Sequence, residues 1–160
     1  MDALTLVHVV ISLIGIVSGV IVAIGLLGSK RMDSMTAIFL VFTVLTSATG
    51  FLFPFHKLLP SHILGILSLI VLAIAIYARY SRHMAGGWRT AYVITAMMAL
   101  YFNVFVLVVQ SFQKVPALKA LAPTQTEGPF KLAQSIVLLI FVVVTILAAK
   151  KFHAQTLSAA

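Results

Sequence analysis

Phe51-Leu52-Phe53-Pro54-Phe55-His56-Lys57-Leu58-Leu59-Pro60-Ser61-His62-Ile63-Leu64 sets two prolines and two histidines between two long apolar runs. Proline has no amide hydrogen to continue a helix, so Pro54 and Pro60 bracket a turn. The runs on either side are long enough to cross a bilayer, which makes the turn a hairpin at one membrane face. The other segments are placed relative to it.

Composition points the same way. Of 160 residues, 62% are hydrophobic and 9% charged, with a mean hydropathy of +1.16. That is more apolar surface than a soluble domain of this size can hide, so lipid must be the solvent. The absence of cysteine removes thiolate metal sites, iron–sulfur clusters and disulfides, leaving histidine as the strong ligand for a soft metal or haem iron. The net charge of +8 sits in short connections between apolar runs, where Lys and Arg set topology and meet lipid headgroups. That distribution argues against a nucleic-acid partner.

A spanning helix needs about 20 mainly apolar residues. Segments of roughly 4–27, 35–53, 62–80, 90–111 and 131–149 qualify. Backbone groups find no water in hydrocarbon, so these are helices. The expectation is an all-α integral membrane protein, a five-transmembrane-helix bundle forming a single membrane domain over 1–160. Met1-Asp2-Ala3 lacks the positive start of a signal peptide, and the first run is too long for one, so it is expected to remain as a helix.

Lys30, Arg31, Arg79, Arg82, Arg89, Lys150 and Lys151 fall at one end of the expected bundle, against Lys57, Lys114, Lys119 and Lys131 at the other. The positive-inside rule then puts the N-terminus outside and the C-terminus inside, with 112–130 as an outer loop. Within that loop Pro116–Ala122 reads as a short helix stopped by Pro123, lying on the outer interface or, as the alternative, folded as a cap over the bundle. Trp88, Arg89 and Tyr92 read as an inner interfacial anchor.

Thr46-Ser47-Ala48-Thr49-Gly50-Phe51-Leu52-Phe53-Pro54-Phe55-His56 and Phe112-Gln113-Lys114-Val115-Pro116-Ala117-Leu118-Lys119-Ala120-Leu121-Ala122-Pro123 resemble small, uncharacterised polytopic inner-membrane proteins of proteobacteria, a likeness that extends over most of the chain. It implies a bacterial cytoplasmic membrane and carries no catalytic residue.

Helical spacing sorts the polar and small residues onto faces. His8, Ser12, Gly15, Gly19 and Ala23 form one stripe of the first span, and the Gly15–Gly19 pair lets a neighbouring backbone approach. The hydroxyls Thr36, Thr43, Thr46, Ser47 and Thr49, followed by Gly50, mark a close helix contact in the second. His62, Gly65, Ile66, Leu69, Ala73 and Ile76 share a face of the third. Tyr92, Thr95, Ala96, Ala99, Asn103, Val106 and Gln110 form the fourth-span stripe, which an amide such as Asn103 should turn inward. Gln134 heads a weaker stripe in the fifth.

With this topology His8, His56 and His62 reach the same outer level. Neutral imidazole suits copper, zinc or haem b iron, which makes the three a candidate site and His8 with His62 the best helical pair. The alternative is histidines at home among headgroups. His83 and His153 sit among basic residues and receive no chemistry. Asp2, Asp33 and Glu127 are the only acids and are expected in tails or loops, which disfavours a proton-coupled carrier. No phosphate loop, nucleophile elbow or zinc-protease helix supports an enzyme.

Three readings stay open. One is a haem- or metal-binding accessory protein or respiratory-assembly subunit using His8, His56 and His62. A second is a small-solute transporter or oligomeric pore lined by Tyr92, Thr95, Asn103, Gln110 and Gln134. The third is a purely structural subunit, in a homo-oligomer or a larger membrane complex, that binds nothing itself; in every case Ser12, Gly15, Gly19, Gly50 and Gly65 serve helix packing within the bundle.

Overall fold

A computed structural model describes residues 2–54 and 60–153, so five residues of the hairpin, His56 among them, lie outside the described residues. The described chain is all-helical: α1 Ala3–Leu27, α2 Asp33–Gly50, α3 Pro60–Ile76 with a π-helical turn Tyr77–Ser81, α4 Gly87–Lys114, α5 Pro116–Leu121 and α6 Gly128–Lys151. Five of these segments are long and apolar enough to cross a membrane, within three residues of the expected bounds at every end. The third span, Pro60–Ser81, takes in the π turn. Local chemistry sets the ends. Asp2 accepts the Thr5 amide hydrogen at 2.7 Å to open α1, and proline occupies the first turn of α5 and of α6, where its missing hydrogen is not needed.

Consecutive helices pack side by side, and α4 is the common partner, touching α1, α2, α3 and α6. Glycines admit the closest of these contacts. A Cβ on Gly19 would stand 2.6 Å from the Leu100 side chain and 2.9 Å from the Phe39 ring, so α1, α2 and α4 meet across that position. At Gly15 it would lie 3.3 Å from the Thr43 hydroxyl. The expected small-residue stripe of the first span is therefore the α1–α2 seam.

Packing is uneven along the bundle. The apolar core joins the end of α1, the start of α2, the end of α3, the start of α4 and the end of α6, through Leu26, Phe39, Leu72, Val93, Ala148 and Phe152 among others. We call this the arginine end. At the opposite, histidine end the buried residues are fewer and mostly polar: Thr46, Ser47, His62 and Ser68, with Phe112 and Ala122 near the loop. Ser47 donates to Ser68 across α2 and α3 at 3.1 Å.

The arginine end is built on Arg79. Its side chain is 0% exposed, although it was expected in a connection. The π turn, closed by the Arg82 amide on the Tyr77 carbonyl at 3.0 Å, widens the last turn of α3 and carries Arg79 inward. Nη2 donates to Asp33 Oδ1 at 2.6 Å and to the Arg31 carbonyl at 3.1 Å. The guanidinium lies over the Tyr92 ring at 5.1 Å, and Nη1 meets Met84 Sδ at 4.0 Å. Asp33 thus opens α2 instead of lying in a loop, where its charge also suits the helix N-terminus. Arg89 holds the end of α6 in a matching way, donating to the Ala149 carbonyl at 2.9 Å and to that of Phe152. Tyr92, expected at the interface, is fully buried beneath Arg79.

The face on which spacing groups His62 with Ile66 and Ile76 is not, apart from His62, the buried face of the third span. Its buried residues are His62, Ser68, Val71, Leu72, Ala75, Ala78 and Arg79, while Ile66 and Ile76 are exposed. Helical spacing cannot bring Ser68 and Arg79 inside and keep Ile66 there too. The polar groups win, since lipid accepts isoleucine and rejects guanidinium.

An ion pair of this kind is asymmetric. Removing one partner strands a buried charge, whereas an apolar side chain of similar volume is tolerated. Asp33→Asn should therefore lower the melting temperature in detergent more than Arg79→Met does. Because Asp33 is 66% exposed, its loss should cost about 1–3 kcal/mol, less than for a fully enclosed pair. The reverse order would mean that Arg79 contributes by charge alone.

Candidate functional site

His8 and His62 dock on the same element, the C-terminal turn of α2 and the residues after it. His8, half-buried on α1, places Nδ1 2.7 Å from Thr49 Oγ1 and its ring edge-on to Phe53 at a centroid distance of 5.2 Å. His62, buried at the start of α3, lies 6.0 Å from the Phe51 ring. Phe51 in turn fills the space over Gly65, where a Cβ would come within 3.0 Å of it. The small residue below His62 is thus a seat for Phe51. Gly50 leaves ordinary room beside His8, a Cβ there lying 3.8 Å from Cε1.

The Thr49 hydroxyl is the polar partner of His8. It has one hydrogen and gives it to its own helix, to the Leu45 carbonyl at 2.7 Å with Thr46 O at 3.2 Å. With that hydrogen on the Leu45 carbonyl, its lone pair accepts from His8, an arrangement that would put the hydrogen of a neutral ring on Nδ1 and leave the Nε2 lone pair. A metal-binding histidine is prepared in the same manner, with one nitrogen donating to an oxygen and the other presented. Among the described residues no three His, Asp or Glu side chains come close enough to hold an ion together. His56, the third expected ligand, lies outside the described residues. The histidine end therefore brings His8 and His62 to one aromatic turn, each against a different phenylalanine.

The expected polar lining divides. Thr95 is buried, its hydroxyl donated back to the Ala91 carbonyl at 2.6 Å, and it packs with Tyr92 in the core. Asn103 and Gln110 continue the same face into the looser half and are half-buried. Among the described residues the enclosed Asn103 Nδ2 has no hydrogen-bond partner, nor has Gln134 Oε1. Gln134 uses its other end to tie α6 to α4, Nε2 donating to the Phe105 carbonyl at 3.2 Å. Ser12 bonds back to Val9 O at 2.8 Å and presents nothing to a ligand.

The loop after α4 does not close over this end as a lid of buried side chains. α5 buries none of its residues. Gln125 anchors the loop by donating to the Val109 carbonyl at 3.1 Å. The following turn is organised by Glu127, which accepts from the Thr124 hydroxyl at 2.7 Å and the Thr126 amide at 3.0 Å. These bonds, the Thr124 hydroxyl foremost, hold its carboxyl below the ordinary glutamate range.

Spacing alone missed Arg79, Asp33 and Thr49. Arg79 had a usable signal in Tyr77 and Tyr80 beside it, which mark interface depth, and in Asp33 as the only acid expected at the same end. Thr49 had none, for its partner lies 41 residues away.

The fold and the two ends define a multi-pass helical membrane protein. Comparison with family models, curated proteins and solved structures finds no match to the chain.

With its hydroxyl lock in place, the neutral His8 ring should show a single Nδ1–H tautomer by nitrogen NMR of ring-labelled protein. Thr49→Val should release it to a mixture. A predominant Nε2–H form in the unaltered chain would refute the lock.

Proposed function

We propose that this chain is a bacterial inner-membrane accessory protein that holds haem b or a copper or zinc ion at its histidine end, within or beside a respiratory assembly. The observation that carries the reading is the His8–Thr49 contact at 2.7 Å, which leaves Nε2 as a neutral ligand atom. His62 on the neighbouring helix turn, and His56 from the hairpin, would supply further nitrogens. When bound, such a group supplies electron transfer or Lewis acidity. The chain's own part is to orient imidazole and to wall the site with Phe51 and Phe53. The orientation proposed with it, N-terminus outside, is supported by the crowding of Lys30, Arg31, Arg79, Arg82, Arg89, Lys150 and Lys151 at the arginine end.

Protein purified from its native membrane should then carry a haem absorption band or about one equivalent of copper or zinc. His8→Ala should abolish it, and Thr49→Val should weaken it by roughly 10–100-fold, the usual effect of losing a group that orients a ligand. Colourless, metal-free protein that takes up neither haem nor metal would end this reading.

A second reading has its own observation. Among the described residues the enclosed Asn103 Nδ2 has no partner, in the looser half of the bundle on the face it shares with Gln110. A donor left in that position suits a small neutral or anionic solute. Reconstituted vesicles should then pass such a solute, and Asn103→Leu should reduce the flux by tenfold or more, in line with about 1–3 kcal/mol for one buried hydrogen bond. Flux that ignores the substitution would exclude it.

A further inference from the structure

The α1–α2 seam has an open edge. Gly15 brings α1 up to the α2 backbone, where a Cβ would lie 3.5 Å from Thr43 N, and Gly19 seats the Phe39 ring and the Leu100 side chain. Leu13, Ile14, Val17 and Ile21 of α1, with Met35 and Ile38 of α2, line a shallow groove of about 380 Å³. Its walls face outward: Val17 is 60% exposed and Ile38 40%. Ser18, the one polar residue in it, gives its hydroxyl hydrogen back to Ile14 O at 2.6 Å. The groove therefore offers aliphatic surface and no donor.

At the arginine end of the same helix pair the chain turns through a stiff connection. The Lys30 amide donates to the Gly25 carbonyl at 2.7 Å, and Ser29 is tied to the His153 backbone at 3.0 Å. Lys30 is exposed. Beside it Arg31 and Arg79 share one carboxylate, that of Asp33, so that with Lys30 three cations stand against one acid, a surplus of two positive charges. An aliphatic groove that runs toward fixed surplus cations at headgroup depth matches an amphiphile with one apolar chain inward and a negative head. A second copy of the chain matches poorly, because a two-fold contact through this face would set like charges together.

We propose that the α1–α2 groove and the connection above it form a binding site for one anionic phospholipid, with an acyl chain along Val17 and Ile38 and the phosphate on Lys30 and Arg31. The site is independent of the histidine end.

The test is native mass spectrometry of the whole chain in detergent, offered equal amounts of phosphatidylglycerol and phosphatidylcholine with identical acyl chains. Phosphatidylglycerol should be retained in preference. Lys30→Gln should reduce that preference roughly fivefold, the effect of one interfacial cation near a charged surface. Val17→Trp or Leu13→Trp should fill the groove and expel both lipids while circular dichroism and the melting temperature stay unchanged, since both positions are exposed. Excess glycerol phosphate should not displace the lipid. Equal retention of the two lipids, retention unaffected by both tryptophan variants, or displacement by glycerol phosphate would overturn the proposal.

Discussion

A guanidinium cannot be left without partners where there is no water, and the arginine end is shaped by that constraint. The contact of Arg79 with Asp33 requires α3 to widen into a π turn, α2 to begin at Asp33, and Tyr92 to give its ring to a cation. Strain gathers around it. Met32, just before Asp33, has φ 48°, and His83 and Met84, just after the π turn, have φ 51° and 55°. Left-handed geometry costs a non-glycine residue on the order of 1 kcal/mol or more. Met84 recovers part of that by closing over Arg79, where it is itself buried. The pair is better understood as fixing which helix faces meet than as a source of net stability, because the cost of removing charge from water nearly cancels its attraction.

The histidine end is built on the opposite principle. Its polar groups are hydroxyls and amides that bond to their own helix, as Thr46 does to Phe42 O at 2.7 Å, or singly across a contact, as Ser47 does to Ser68. Such bonds are weak in membranes, typically below about 1 kcal/mol each. That half of α4 and the first turns of α6 are accordingly half-exposed. The bundle thus has a tight end and a loose end.

The spans were legible because hydropathy over about 20 residues outweighs any local preference. The Gly15–Gly19 seam was legible because helical spacing and small size coincide there. What failed was the direction of faces that carry few polar residues. Ile66 and Ile76 were grouped with His62 by spacing, yet Ser68 and Arg79, set on another face, decide the rotation of α3. Thr95 and Tyr92 were grouped with Asn103 as lining, and the shared face is real, but its lower half is filled by core. The partner of His8 depended on two helices meeting at a particular height, which periodicity within one helix does not contain. For Asp33 the error was two residues of boundary, enough to move an acid from a loop into the arginine's reach.

The buried Arg79 and the half-buried Arg89 also imply an order of assembly. A chain made from its N-terminus presents α2 first, so Asp33 precedes Arg79 by 46 residues and can receive it as α3 enters the bilayer. Tyr92 and Met84 arrive afterwards and close over a contact already made. Arg89 must wait, since its carbonyl acceptors on Ala149 and Phe152 follow it by 60 and 63 residues. One arginine reaches back to a helix already inserted, and the other stays with water until the last helix leaves the ribosome.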